Sequence, residues 1–184
     1  MRKNYFSVFL TMLAFANIGY GVEKMNKVNQ NYGYQTYEKE TVESIQANGS
    51  VILDGTKVLG IIQVNGSLDA DEAAIGSLQV NGQVNLKNSL ISDNAIINGS
   101  LNADNTKFQK ELSIATQKFT LRTCTVESLI VREVIGYEGA QIIDLRSGTK
   151  ITGPIVVESG KGEIWLSSNS EVSGQVTGAK VYKK

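Results

Sequence analysis

Histidine is absent from this chain of 184 residues, and cysteine and proline each occur once. Without histidine there is no Ser-His or Cys-His nucleophile pair, no histidine-ligated zinc and no imidazole pH switch. The single cysteine, Cys124, excludes an intramolecular disulfide, and we expect a small buried hydrophobe. An excess of positive charge is also missing, because 18 acidic residues balance 18 basic ones. This removes the bulk electrostatic case for binding nucleic acid.

The N-terminal segment has the pattern of a targeting sequence. Arg2 and Lys3 precede a mostly apolar run from Tyr5 to about Tyr20, followed by Gly21 at a plausible cleavage position. The run is too short and too polar for a good membrane span, which needs ~20 apolar residues. We predict a signal peptide over residues 1–21 and an exported bacterial protein, periplasmic or extracellular, with no stable membrane span in the mature chain. An uncleaved N-terminal membrane anchor is the alternative.

Residues 22–43 are polar and show no sustained period of two or 3.6, which predicts a flexible leader or a short N-terminal cap. From residue 44 onward the chain repeats. The dipeptide Asn-Gly recurs at steps of 17, 16 and 17 residues. Its four copies are Asn48-Gly49, Asn65-Gly66, Asn81-Gly82 and Asn98-Gly99. Around each copy apolar and polar residues alternate, which indicates a strand with one buried face.

Short strands that return in the same register every 16 to 21 residues do not suit an antiparallel sandwich, whose hairpins return every 8–12 residues. They suit an all-β fold, a single-stranded parallel β-helix, in which each coil stacks ~4.8 Å above the last. Parallel crossovers favour the right hand. We predict about seven to eight coils over residues 44–184. Irregular insertions are expected at about 105–142, where Asn-Gly is missing.

The Asn-Gly column has two explanations from its residue types. Stacked asparagine amides can hydrogen-bond along a column, because each carries a donor and an acceptor. Alternatively, the dipeptide marks a corner of each coil, since both residues tolerate positive φ. We favour either structural role over a polar strip that binds glycans or a partner.

Two further sets of residues are candidate sites. Asp69, Asp71 and Glu72 form the densest acidic cluster and are the weak candidates for a metal site. Because Lys87 interleaves with the carboxylates of its column, we prefer a solvated charge ladder and predict no metal and no cofactor. Tyr137 and Trp165 are the large aromatic residues expected near loops or outside the rod, where they would form a binding surface.

The segments LQVNGQVNLKNSLISDNAIINGSLNA, KITGPIVV and EVSGQVTGAKV carry a family resemblance. They resemble the bactofilins, polymer-forming β-helical cytoskeletal proteins of bacteria, closely over about residues 45–103 and loosely over 151–181. The resemblance implies a rigid rod that assembles end to end into filaments and scaffolds other envelope components, without nucleotide or metal.

Taken together, these patterns predict a non-enzymatic exported structural or interaction protein. Its expected partners are further copies stacked end to end, and an envelope protein or glycan, but no nucleic acid. The unpaired backbone of a terminal coil provides the physical reason for stacking, whereas the terminal lysine pair, Lys183-Lys184, guards against it. A monomer or a small assembly is therefore expected at least as readily as a filament. The first alternative is a secreted adhesin or glycan-binding module. The second is a small β-helical enzyme acting on polysaccharides, with Asp69, Asp71 and Lys87 as its candidate residues.

Overall fold

A computed structural model describes residues 29–167 and 169–184, and it shows one stack of parallel strands. The predicted signal peptide and residues 22–28 lie outside the described residues. In the described part of the chain, no helix has the length and hydrophobicity needed to cross a membrane. The strands are β1 Asn29–Glu38, β2 Thr41–Val42, β3 Ile45–Asp54, β4 Lys57–Asp71, β5 Ala74–Lys87, β6 Leu90–Ile91, β7 Ala95–Asp104, β8 Lys107–Ala115, β9 Lys118–Arg122, β10 Thr125–Arg132, β11 Gln141–Arg146, β12 Lys150–Ile151, β13 Ile155–Val157, β14 Gly162–Leu166, β15 Glu171–Val172, β16 Val176–Thr177 and β17 Ala179–Lys183.

Strand β4 shows how one coil is built. Its residues alternate between buried and outward positions, but the alternation is interrupted at Gly60 and again at Gly66. Each interruption turns the chain, so one coil has three short faces. In this coil face 1 comprises residues 57–59, face 2 comprises 61–65 and face 3 comprises 67–71. A third corner at Glu72, where φ is 51°, leads into the next coil.

The core consists of apolar columns that run along the rod. Successive coils pair in register, so Ile62 lies between Ile45 and Leu78, and Leu68 lies between Val51 and Val84. Residues of these columns are almost fully buried, with exposures of 0–1%. Backbone pairing fixes the register, and burial of the apolar side chains supplies the main stabilisation.

Glycine forms the corner between faces 2 and 3 because no side chain fits there. Gly49, Gly66, Gly82 and Gly99 stack at this corner with φ of 139–146°. A Cβ on any of them would meet the carbonyl oxygen of the glycine one coil below at about 2.0 Å. The glycine of each Asn-Gly dipeptide therefore marks a corner of the coil, which is the second of the two explanations given for this dipeptide.

The parallel stack confirms the predicted fold class, but the coil count and the starting residue were wrong. The stack has about nine turns rather than seven to eight. The additional coil includes β1, whose residues 29–38 pair with residues 45–54 of β3, so the coils begin before residue 44. Asn29 and Asn31 are in register with Ile45 and Ala47, and this lack of apolar residues hid the first coil. The right hand stays a prediction.

The prediction of irregular insertions at 105–142 was largely wrong as well. Strands β8, β9 and β10 continue the stack, with Leu112 paired to Leu129 and Ile114 to Val131. Without Asn-Gly, the corner after β8 is made by the short connection between Ala115 and Lys118, which masks the repeat. A longer connection without strand structure occupies residues 133–140.

Candidate functional site

The predicted asparagine column is a continuous series of side-chain hydrogen bonds on face 2. Asn65 Nδ2 donates to Asn48 Oδ1 at 3.0 Å, and Asn81 donates to Asn65 at 2.7 Å. Asn98 in turn donates to Asn81 at 2.6 Å. All three donors point toward the N-terminal end. Each interior asparagine donates through its Nδ2 and accepts through its Oδ1, so the column links neighbouring coils.

An arginine ends this series where the asparagines stop. Ala115 is in register with Asn98 and has no amide to donate. Arg132, one coil further on, reaches across it, and its Nη2 donates to Asn98 Oδ1 at 2.7 Å and to the Ile97 carbonyl at 3.0 Å. Sequence reasoning missed this contact because Arg132 is 34 residues from Asn98 and outside the Asn-Gly pattern.

A parallel glutamine column lies beside the asparagines. Gln63 Nε2 donates to Gln79 Oε1 at 3.3 Å. The two columns border a shallow groove of about 190 Å³, whose lining residues are Gln46, Ala47, Asn48, Gln63, Val64, Asn65, Gln79 and Asn81. None of these lining side chains is charged, so the groove presents a neutral, hydrogen-bonding surface.

A buried polar column at the corner after face 3 was not predicted. Thr56, Ser89, Thr106 and Thr149 are 0–4% exposed. Their hydroxyl groups donate to backbone carbonyls, as Thr56 Oγ1 does to the Tyr37 oxygen at 2.9 Å. The spacing of Thr56, Ser89 and Thr106, which matches the Asn-Gly period, was the signal that could have revealed it.

Cys124 lies in this same polar column. It is 1% exposed, and its Sγ lies 3.0 Å from the Arg122 carbonyl oxygen. Burial raises the pKa of the Cys124 thiol to about 11. The thiol therefore stays protonated at neutral pH and replaces a threonine hydroxyl as a weak donor, which makes it a poor nucleophile.

The acidic candidates for a metal site are surface residues. Asp69, Asp71 and Glu72 are all exposed, and Asp71 Oδ1 accepts a hydrogen bond of 2.9 Å from Asn88 Nδ2. Within residues 29–167 and 169–184, no group of three or more His, Cys, Asp or Glu side chains is arranged to hold a metal ion.

Of the two aromatic candidates, Trp165 belongs to an aromatic cluster and Tyr137 lies in a connection between strands. The indole stacks on Tyr182 with ring centroids 4.5 Å apart. Lys184 Nζ lies 5.5 Å from the centroid of the indole ring. Tyr137 is in the 133–140 connection, where its hydroxyl donates to the Ala140 carbonyl at 3.2 Å. Tyr182, which is in register with Trp165 one coil further on, was not predicted.

Asp144 anchors this cluster from the coil below Trp165. Its side chain is 4% exposed and lies between two cations. Arg146 Nε donates to Asp144 Oδ2 at 2.8 Å, and Lys184 Nζ donates to Oδ1 at 3.3 Å. Burial by itself raises the pKa of Asp144, but the hydrogen bonds from Arg146 and Lys184 outweigh it and hold this pKa below its ordinary value. The carboxylate is therefore charged at neutral pH and fixes both cations at the surface.

This pKa predicts a pH-dependent contribution to stability. Because the folded pKa is depressed, the contribution is complete above the unfolded carboxyl value of about 3.9 and is lost as pH falls through the lower folded value. We expect Asp144→Asn to lower the free energy of unfolding by about 1 kcal/mol at neutral pH and by progressively less below about pH 4. Urea unfolding from pH 2 to 7 measures both.

The matched control is Asp93→Asn, which removes an ion pair to Lys110 with both side chains more than half exposed. Its effect should stay within about 0.5 kcal/mol at every pH. A difference between wild type and Asp144→Asn that grows on acidification would contradict the assigned direction.

Comparison with known proteins identifies no relative, because no family model, no curated protein and no solved structure matches this chain.

Proposed function

We propose that this chain is a non-enzymatic, exported structural protein, a rigid rod that associates end to end through its C-terminal coil and acts as a scaffold in the bacterial envelope. Export is supported by the charged and apolar pattern of residues 1–21. The scaffold role is supported by the resemblance to bactofilins and by the geometry of the rod's last coil.

The observation that carries the proposal is the incomplete burial of that last coil. Val181 is in register with Ile164 but is 45% exposed, whereas Ile164 is 0% exposed. Val172, Val176 and Ala179 of the last coil are half-buried. An apolar cross-section left open at the end of a rod favours contact with another coil.

The backbone of the last coil is open in the same way. Among the described strands, β17 pairs with β14 alone, and β15 and β16 likewise each pair with one strand. Unpaired N–H and C=O groups along such an edge are a template for a further strand. Hydrogen bonding and apolar contact thus favour the same axial association.

Lys183 limits the strength of this association. It is in register with buried Leu166 and is exposed at the rim of the open end. Charges at inward positions of a strand edge are a means by which proteins oppose uncontrolled pairing. We therefore propose a reversible association rather than a permanent filament.

Substitution at the open end tests the proposal. We expect the wild-type chain to form end-to-end species at high protein concentration and Val181→Lys to form none of them, because a second inward charge would be buried by stacking. Light scattering after size-exclusion chromatography measures the mass, and negative-stain microscopy shows whether the species are linear.

Thr177→Lys is the matched control, since it adds the same charge to the last coil at an exposed, outward position. It should associate like wild type. A wild-type chain that is monomeric at all concentrations would remove end-to-end assembly from the proposed function.

A further inference from the structure

The outward surface of face 3 changes sign along the rod. The coils up to residue 104 present an acidic half, whose carboxylates are Glu38, Asp54, Asp69, Asp71 and Asp104, with Lys87 as the cation among them. The remaining coils present a basic half. Its cations are Lys118, Arg122, Arg146, Lys180 and Lys184, with Asp144 and Glu163 as carboxylates. A chain with balanced total charge therefore has a strongly polarised face.

Most charges of the acidic half are available to a partner. Asp54, Asp69 and Asp71 are exposed, and Asp104 is half-exposed. Within the described part of the chain, no ion pair closer than 4.0 Å involves any carboxylate of this half. These groups keep their hydration and their full external field, so a positive surface opposite them would be attracted.

In the basic half, by contrast, the carboxylates are already engaged. Asp144 is held by Arg146 and Lys184, and Glu163 accepts a hydrogen bond of 3.2 Å from Trp165 Nε1. Lys118 and Lys180 are exposed, and neither forms an ion pair with a described residue. Because five cations outnumber two carboxylates, the field outside this half is positive.

The two halves also have suitable geometry. Face 3 contributes one strand segment per coil, and in-register pairing keeps its outward residues in straight columns, as in the series Asp54, Asp71, Lys87, Asp104 and Arg122. The sign changes between Asp104 and Arg122, close to the middle of about nine turns. When a second rod faces the first and is antiparallel to it, with the two points of sign change opposite each other, each half therefore lies against the half of opposite sign.

We propose that face 3 binds a second copy of this chain side by side and antiparallel, with the acidic half of each rod against the basic half of the other. A two-fold interface of this kind is self-complementary and closed, so it forms dimers and does not extend. A parallel arrangement would place like charges together and is disfavoured. This lateral contact goes beyond the proposed axial association, which uses the open end of the rod instead.

The interface is narrow and polar, so the dimer should be weak and sensitive to salt. Stable interfaces bury about 800 Å² per partner, and face 3 provides one short strand segment per coil for this contact. Its attraction comes from exposed charges, whose range falls from ~30 Å at 0.01 M salt to ~3 Å at 1 M. We expect the association constant of the dimer to be at least about tenfold lower at the higher of these two salt concentrations.

Charge exchange between two variants tests the proposal. One variant carries Lys118→Glu, Arg122→Glu and Lys180→Glu, so that both halves of face 3 have a net negative charge. The other carries Asp54→Lys, Asp69→Lys and Asp104→Lys, so that both halves of face 3 have a net positive charge. Analytical ultracentrifugation at about 0.01 M salt measures the association constant of the dimer. Each variant alone should have a constant at least about tenfold below that of wild type, whereas an equimolar mixture should form a heterodimer. Circular dichroism confirms that each variant is folded.

The matched control reverses the same number of charges on another face. Lys57, Lys107 and Lys150 are exposed residues of face 1, and Lys57→Glu, Lys107→Glu and Lys150→Glu together should leave dimerisation at the wild-type level. Loss of the dimer in this control, or a mixture of the two face 3 variants that stays monomeric, overturns the proposal. So does a wild-type chain that does not dimerise at 0.01 M salt.

The same measurements in the Val181→Lys background separate lateral from axial association. A lateral dimer that persists there while larger species disappear supports both proposals. Association that is abolished by Val181→Lys and insensitive to the face 3 variants would overturn the lateral dimer and leave the axial association standing.

Discussion

Gly82→Ala should destabilise the rod severely, although it adds a single methyl group. The new Cβ would lie 1.9 Å from the Gly66 carbonyl oxygen, and φ at Gly82 is 144°. The clash is with backbone one coil below, which cannot move without breaking the stack. We expect a loss of about 3 kcal/mol or more in the free energy of unfolding. Urea unfolding followed by far-ultraviolet circular dichroism measures it.

Gly33→Ala separates the clash from the backbone strain. Gly33 stacks in the same glycine column and also has positive φ, 102°, but a Cβ there would meet no atom of the described residues within 4 Å. The free energy of unfolding of this variant should fall by about 1–2 kcal/mol, because conformational strain is its only cost. Equal losses in the two variants would show that the close approach of successive coils is not what requires glycine.

Phe108→Ala is the second substitution expected to have a large effect. Phe108 is 1% exposed and lies in the inner column of face 1, between Ile91 and Val126. The other members of this column are aliphatic, so no neighbouring side chain can fill the space of the ring. We expect a loss of about 3–5 kcal/mol by urea unfolding.

Two controls locate the cause of this loss. Phe108→Ile places an aliphatic side chain in the column, like its other members, and should lower the free energy of unfolding by roughly 1–2 kcal/mol. Ile135→Ala removes a side chain that is 99% exposed and should change stability by less than about 0.5 kcal/mol. Because the strands of a coil pair with those of the adjacent coils, amide exchange in Phe108→Ala should increase most in β6 and β10. A uniform increase over all coils would contradict this nearest-neighbour picture.

The core could be predicted from the sequence where the repeat is strict. The steps of 17, 16 and 17 residues place Ile45, Ile62, Leu78 and Ala95 in one column, and the structure pairs these residues in that order. Alternation with period two reports directly which residues are buried, since successive side chains of a strand point to opposite sides. The same reasoning failed for β1, whose asparagines follow the register without the apolar pattern.

The candidate sites were less predictable than the core. Trp165 was found from its residue type, but its partners Tyr182 and Asp144 depend on register across two coils of different length. The contact of Arg132 with Asn98 spans two coils and skips Ala115, and no spacing rule covers it. Outward residues are free to vary because burial does not constrain them, so their pattern carries less information about structure.

What the sequence determined by itself is therefore the parallel stack, its inner columns and the asparagine series, because all three follow from a backbone that repeats in register. Only the tertiary structure decided how the surface is organised. It extends the stack back to β1, carries it through residues 105–132, and places Lys118 and Lys180 on the same face as Asp54 and Asp69. The physical reason is that each irregular connection, such as residues 133–140, changes the spacing without changing the stacking. Which distant charges share a face is therefore fixed by hydrogen-bonded register and not by distance along the chain.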